Sequence, residues 1–329
     1  MKKIILLLTA LCILFYGVPV LADTVVLPHR VIDVRAHTVI DFEGLLARLA
    51  EADVVTLGEN HDDPATHRME LAILEGLFRV HGDVVLSMEM FERDVQPLLD
   101  SYLAGEIEDE DLIASGRMWG NYETDYAPMV EFCRDNGLPV VASNIPRQLA
   151  RRIAETGYEL TEFSDEEKEF IASTFQAPED GYWEAFAATM MMPGMEAMHV
   201  SEDTLRYFYE AQVIKDETMA ESVSNAHMEH PGAVVYHIAG AFHLADYLGT
   251  FSRIERNIPQ ADCVSIHVLP VDDLLAPPPD DAPKADYWIL VLAPEEEGAE
   301  VMENEGAIPV MPPMPSPAES NEESDQVTE

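Results

Sequence analysis

Four short stretches of this chain carry side chains able to move protons, hold a metal or grip an anion. They are Gly58-Glu59-Asn60-His61-Asp62, Glu89 within Met88-Glu89-Met90-Phe91, Asn144-Ile145-Pro146-Arg147, and Gly240-Ala241-Phe242-His243. Glu and His can share general acid and base roles, and the same residue types hold a divalent metal such as Zn, Mn or Co with a position left open for water. Glu59, His61, Glu89 and His243 are therefore either an acid–base set or a metal-ligating set. Arg147 would stabilise a developing oxyanion or bind a carboxylate beside them. Neither His is paired with another ligand at helical spacing, so the set rests on convergence in space. The chain contains no Gly-x-Ser-x-Gly nucleophile elbow, which makes activated water the attacking group in any hydrolysis.

Convergence is what the surrounding pattern predicts. Each stretch follows a short apolar, β-branched run: Asp53 to Leu57, Val84 to Met88, Pro139 to Ser143 and Val234 to Ile238, with a fifth run at Cys263 to Leu269. Amphipathic segments of helical length separate these runs. The pattern predicts an α/β fold, a mainly parallel β-sheet with helices on both faces. Ligands of such sheets bind outside the carboxyl ends of the strands, where all four stretches fall. Asp63 is expected to cap a helix that opens with Pro64 and stops at Gly82. His61 then lies in the turn before a helix N-terminus, a place that favours anions. His67, one turn inside that helix, reads as a surface or packing residue.

A second helix is expected over about residues 201 to 229, with Leu205, Phe208, Tyr209, Met219, Ala220 and Val223 in one stripe. Gln212 and Asp216 fall in the middle of that stripe. A carboxylate on a buried face is costly unless it is paired or faces a cleft, so Asp216 is either a site residue or the partner of an Arg such as Arg147. Glu217 and Glu221 read as solvated face. The segments at about 97–118 and 161–229 suggest a smaller helical cap or insertion, with Ser164 and Glu167 forming a capping box for a helix to about Phe175. The cluster Met190, Met191, Met192, Met195 and Met198, next to His199, could line a slot for a flat cofactor, ligate Cu(I), or pack as ordinary core.

Charge and punctuation narrow the function classes. The 329 residues hold 62 Asp or Glu against 19 Lys or Arg, a formal charge of −43 that excludes a nucleic-acid binder of the basic-patch kind. The C-terminal extension 276–329 carries −13 and the stretch 23–275 carries −32, so the folded part is itself acidic. Lys2-Lys3, the apolar run Ile4 to Tyr16 and the small-residue site ending at Ala22 read as a signal peptide over residues 1–22. A periplasmic or otherwise exported protein is expected. Leu11 before Cys12 fits a lipoprotein cleavage box poorly, so lipid anchoring is not. Cys133 and Cys263 read as two separate buried thiols, although an exported compartment permits a bridge. Ten of the 22 prolines lie beyond residue 275. This predicts one last strand at Asp286 to Ala293 and a solvated, disordered tail from about residue 294.

Taken in order, Gly58-Glu59-Asn60-His61, Met88-Glu89-Met90-Phe91, Asn144-Ile145-Pro146-Arg147, Asp216 with Met219-Ala220, and Gly240-Ala241-Phe242-His243 resemble the ChaN-like haem-binding uptake family. That family belongs to a superfamily with the Tiki and TraB proteins and the erythromycin esterases. The resemblance covers about residues 45 to 272, with Lys215 standing where the family often has Arg. It implies an α/β domain with a smaller helical part and a role in haem or iron acquisition at the bacterial envelope. An uptake system and a homodimer are the partners it suggests. Haem needs an apolar slot, an axial ligand and cations for its propionates. The resemblance points to the Met190–Met198 region with Trp119, Tyr122, Tyr126 and Trp183 for the slot, to Tyr126, His199 or His243 as axial ligand, and to Arg147 and Arg151 for the propionates. Asp216 would support this site. The competing function is a hydrolase, metal-dependent or using Glu and His directly, built on Glu59, His61, Glu89 and His243.

Overall fold

Val54, Val85 and Val235 point to one side of their strands and Val55, Leu86 and Tyr236 to the other, and all six are fully buried. A strand that is apolar on both sides needs a covering layer on each, and two separate apolar clusters supply it. The computed structural model describes residues 27–190 and 201–294. Within them, strands β1 (His29–Asp33), β2 (Thr38–Ile40), β3 (Val54–Glu59), β4 (Val84–Glu92), β5 (Val140–Asn144), β6 (Val234–Gly240), β7 (Cys263–Val271) and β8 (Tyr287–Leu292) form one sheet in the order β2-β1-β8-β7-β3-β6-β4-β5. The run from β8 to β5 is parallel throughout, and β1 lies antiparallel to both β8 and β2.

The helices are α1 (Phe42–Leu49), α2 (Pro64–His81), α3 (Gln96–Leu103), α4 (Asp109–Ser115), α5 (Ala127–Asn136), α6 (Arg147–Thr156), α7 (Asp165–Lys168), α8 (Gly181–Met190), α9 (Glu202–Glu229), α10 (Ala241–Leu244) and α11 (Gly249–Asn257). One face is covered by α1, α2 and α5, the other by α9 and α11, with α6 packed against α9. Asp63 caps α2 by accepting from the Ala65 and Thr66 amides, Pro64 is its first residue, and Gly82 ends it at φ 87°. These are the expected signals in the expected places. Among the described residues, no helix is long and apolar enough to cross a membrane.

Three expectations need correction. β4 does not stop at Glu89 but runs on to Glu92, because a register shift lets the span from Met88 to Glu92 face only Ala142 to Asn144 of β5. Such bulges re-aim side chains beside functional sites, and here the bulge begins one residue before Glu89. Second, α9 is no insertion; it lies on β4, β5 and β6 as the main cover of its face, which leaves α3, α4, α7 and α8 as the smaller helical additions. Third, the Ser164–Glu167 capping box forms, yet its helix ends at Lys168. The late strand expected at Asp286 to Ala293 does form, as β8. It lies between β1 and β7, and Asp286 ties it in by accepting from the Ser265 amide at 2.9 Å. Cys133 is buried, Cys263 half-buried, and both are free thiols whose pKa burial pushes up to about 12. The signal peptide, Met191 to Met198, His199 and the acidic tail lie outside the described residues.

β3 is the strand on which the site depends, and its tight spot is Gly58. A Cβ there would lie 2.4 Å from Cε1 of the buried His267 and 3.2 Å from the Ala241 backbone. Gly58→Ala is expected to destabilise the protein by about 1–3 kcal/mol through overpacking, read from urea denaturation. His267→Ala in the same chain should recover part of the loss. An unchanged midpoint for Gly58→Ala would mean that β3 and β7 are not packed this closely.

Candidate functional site

Parallel strands place their carboxyl ends on one edge, and this sheet places Glu59 of β3, Glu89 of β4 and Gly240 of β6 there with β6 between the other two. Gly240 supplies the closest approach. A Cβ on it would lie 2.6 Å from Nε2 of His61 and 3.5 Å from Oε2 of Glu89, so only bare backbone lets both side chains close on this strand end. Its amide donates to Oε2 of Glu89 at 2.7 Å.

Two carboxylate–imidazole assemblies flank this glycine. In the first, Oε1 of Glu59 contacts Nδ1 of His61 at 2.5 Å and accepts from the Tyr126 hydroxyl at 3.0 Å. Nδ1 of His67 sits 3.3 Å from Oε2 of Glu59 and 3.1 Å from Oε2 of Glu70, while its Nε2 lies 3.0 Å from the His61 carbonyl. In the second, Nδ1 of His243 contacts Asp216 at 2.7 Å and its Nε2 faces Glu89 at 3.3 Å. Asp216 also accepts from Thr250 at 2.8 Å and Tyr182 at 2.7 Å. Gln212 adds a contact to the His243 ring and one to Tyr182.

Burial raises every carboxyl pKa and lowers every imidazole pKa, so the partners decide the charge state. For Glu59, burial is outweighed by its hydrogen bond with His61 and the His67 ring close by, and its pKa falls to about 2. Burial and the nearby Glu59 charge together push Glu70 well above the ordinary range, so it keeps its proton. His67 overcomes burial through Glu59 and Glu70 and rises to about 11. Glu89 overcomes burial through His243 and is lowered. His243 overcomes it through Glu89 and Asp216 and rises to about 10, and His61 is raised by Glu59. The assembly is a set of nearly neutralised pairs, its one partly open ring being His61, whose side chain is 14% exposed. Trp119 meets that ring edge-on at 4.8 Å. Trp119 also lines a surface cavity of about 350 Å³ with Ile113, Arg117, Met118, Tyr122 and Glu123.

The structure brings Glu59, His61, Glu89, Asp216 and His243 together. They do not, however, form the expected metal quartet. Among the described residues, the set that offers one donor atom each within 4.8 Å of one another is Glu59, His67 and Glu70. Tyr126 is wholly buried with its hydroxyl committed to Glu59, so it positions a carboxylate and offers no ligand to a molecule outside. His243, with both nitrogens engaged, is equally closed as an axial ligand. Arg147 donates to Glu92 at 2.6 Å and Arg151 to Glu155 at 3.0 Å. Neither bonds to the cluster among the described residues, and Asp216 is not Arg147's partner. His67 is buried rather than superficial. Glu217 is also buried, against Arg253 and Arg256, and Glu221 pairs with Arg93, so neither is solvated face. Glu70, Tyr182 and Thr250 went unnoticed in the sequence. Glu70 carried a usable signal: it shares the apolar face of α2 with Met69, Ile73 and Leu74, the same anomaly that exposed Asp216.

Comparisons with known proteins agree with this architecture. The family described as "Haem-binding uptake, Tiki superfamily, ChaN" matches residues 45–254. The solved structure described as cofacial heme binding to ChaN of Campylobacter jejuni superposes with a TM-score of 0.61 at 18% identity, covering 80% of this chain and 96% of that one. This is a likeness of fold. Protein RETICULATA-RELATED 5, chloroplastic, of Arabidopsis thaliana is 24% identical over 269 residues, 75% of this chain, and the chain spans only 35% of that relative's length. A mutant of the erythromycin esterase EreC in its open conformation superposes with a TM-score of 0.43 at 13% identity.

The charge states make a pH prediction. His243 is raised from 6.5 to about 10, so its contribution to stability is full below pH 6.5 and fades as pH climbs toward 10. Glu59 is lowered from 4.5 to about 2, so its contribution holds above pH 4.5 and fades as pH falls toward 2. Thermal unfolding should therefore give the highest Tm between these arms, with an alkaline decline that Asp216→Asn flattens. A Tm that rises steadily above pH 6.5 would contradict the assignment.

Proposed function

The chain belongs to the ChaN family of haem-binding uptake proteins in the Tiki superfamily, and from that premise we propose that it is an exported haem-binding protein of the bacterial envelope, serving haem or iron uptake or handling. The observation that carries the reading is the family match over residues 45–254, a span that holds both carboxylate–imidazole assemblies and the cavity beside them. The N-terminal Lys2-Lys3, the apolar run to Tyr16 and Ala22 support export. An uptake system and a second copy of the chain are the partners this reading includes.

The described residues fit parts of what haem requires. A porphyrin needs an apolar wall and cations at its edge. The cavity offers Trp119, Tyr122, Met118 and Ile113 as wall and Arg117 at its rim. Arg147 joins that rim, since it donates to the Arg117 carbonyl at 3.1 Å and both guanidiniums share Glu92. With −32 on residues 23–275, a dianionic porphyrin is repelled at long range, so these local cations must supply the attraction within a Debye length of ~8–10 Å. When bound, haem brings an iron centre whose axial ligand sets its chemistry. His199 and His61 are the proposed axial residues, His61 because its ring meets the cavity wall at Trp119. Arg147 and Arg151, both about half exposed, are the proposed propionate partners with Arg117.

A second reading, a hydrolase using the Glu59, His61, Glu89 and His243 cleft, is favoured by the two oriented Glu–His pairs on either side of Gly240. It stands second for a physical reason. General base catalysis works best with a group poised near neutral pH, whereas the His243 ring is raised to about 10, His61 is moved upward by Glu59, and Glu89 is lowered by His243 to a weak base.

Haemin titrated into the purified protein should give a saturable Soret band. The band should move in His199→Ala or His61→Ala, and Trp119→Ala should weaken binding about tenfold, on the order of 1.4 kcal/mol. No specific band, together with ester or peptide hydrolysis lost in Glu89→Gln, would replace the first reading with the second.

A further inference from the structure

Beneath the His61 ring, polar atoms of the buried Glu59, His67 and Glu70 side chains close on one another. We propose that these three residues form a buried binding site for a divalent first-row transition cation of the Zn, Mn or Fe(II) kind. The inference is independent of haem binding, because His67 and Glu70 take no part in that reading.

The distances suit an ion. Such cations bind His nitrogen and carboxylate oxygen at ~2.0–2.2 Å, which sets neighbouring ligand atoms ~3–4 Å apart. Nδ1 of His67 lies 3.3 Å from Oε2 of Glu59 and 3.1 Å from Oε2 of Glu70, and the three donors fall within 4.8 Å of one another. The orientation of the ring suits it too. Nε2 of His67 is 3.0 Å from the His61 carbonyl, an acceptor, so the nitrogen facing it donates. Without an ion Nδ1 carries a proton shared with the two carboxyls; a cation entering here would displace that proton and the one on Glu70, and take the Nδ1 lone pair, which is aimed between the two carboxyls. A ligating imidazole is usually fixed in this way by a hydrogen bond from its other nitrogen.

The independent observation is a deficit. Oε2 of Glu59 and Oε1 of Glu70 are buried atoms that receive no hydrogen bond, and both residues are at most 1% exposed. Buried polar atoms are nearly always paired, so two orphans in one cluster call for an occupant. Glu59 is also divided in the manner of an oriented ligand: Oε1 is held by His61 and the Tyr126 hydroxyl, which leaves Oε2 for the ion. One nitrogen and two carboxylates, with no thiolate or thioether, form a set for Zn, Mn or Fe(II) rather than Cu(I). Asp125 lies 3.7 Å from Nε2 of His67, is partly exposed, and is held by Asn121, giving a polar route from the surface.

The competing occupant is a proton shared by Glu59 and Glu70. The two are separated by stripping the purified full chain with a chelator, then titrating in Zn²⁺ or Mn²⁺ while following bound metal and Tm. The proposal expects one tight equivalent per chain and a raised Tm. Glu70→Gln, which has the shape of the protonated acid and so folds, should weaken that equivalent at least ~100-fold, and His67→Gln should do the same. Glu89→Gln should retain it, which separates this site from the neighbouring cleft. The proposal is overturned if stripped protein takes up no tight metal at unchanged Tm, or if Glu70→Gln binds as wild type does.

Discussion

Four carboxyl groups, those of Glu59, Glu70, Glu89 and Asp216, are buried within one site, and the pairing of these groups with the imidazoles of His61, His67 and His243 is the interaction on which the rest depends. An isolated carboxylate in such a place would cost several kcal/mol. Here each charge has a partner in direct contact, and Tyr126, Tyr182, Thr250 and the Gly240 amide donate further hydrogen bonds to Glu59, Asp216 and Glu89, leaving Oε2 of Glu59 and Oε1 of Glu70 without one. Removing one partner strands the others, so the site behaves as a unit. The ionisation states follow from burial and the same contacts: pairs hold Glu59 and Glu89 charged, while Glu70, raised by burial and by the Glu59 charge, keeps its proton.

The fold is what makes that pairing possible. With β6 between β3 and β4, the glycine that ends β6 stands between the acid that ends β3 and the acid at the β4 bulge. Gly240 admits the His61 ring against its backbone, and Gly58 admits His267 and the start of α10 against β3. From the opposite face, α9 delivers Gln212 and Asp216 one helical turn apart. From the first face, α2 delivers His67 and Glu70. Two helix faces and three strand ends thus meet at one point, and none of them alone would tolerate its buried charge.

Much of this was legible in the sequence. Apolar runs ending in Glu-Asn-His, Glu and Gly-Ala-Phe-His placed the sheet edge, and Asp216 betrayed itself as a carboxylate in an apolar stripe. His67 and Glu70 carried the same signature on α2, but a His one turn into a helix is also common on surfaces, and only the position of Glu59 three ångströms away decides between the two. Tyr126 was misleading for a related reason: an aromatic hydroxyl reads alike whether it greets a ligand or braces a carboxylate. The insertion of β8 beside β1 arises from strand pairing across more than 250 residues, and the bulge in β4 from pairing with a strand about fifty residues further on; local pattern encodes neither. The strong acidity of the domain named no partner by itself. It does give weight to the few cations beside the cavity, Arg117 and Arg147, which share Glu92 at its rim.

The central claim is that buried pairing, rather than solvent, sets the protonation of these imidazoles. Nitrogen-15 chemical shifts of the His243 ring, followed against pH, test it most directly. The pairing with Asp216 and Glu89 predicts a doubly protonated ring through neutral pH that loses its proton only near 10. A ring already neutral at pH 7.5, titrating near the ordinary 6.5, would contradict it.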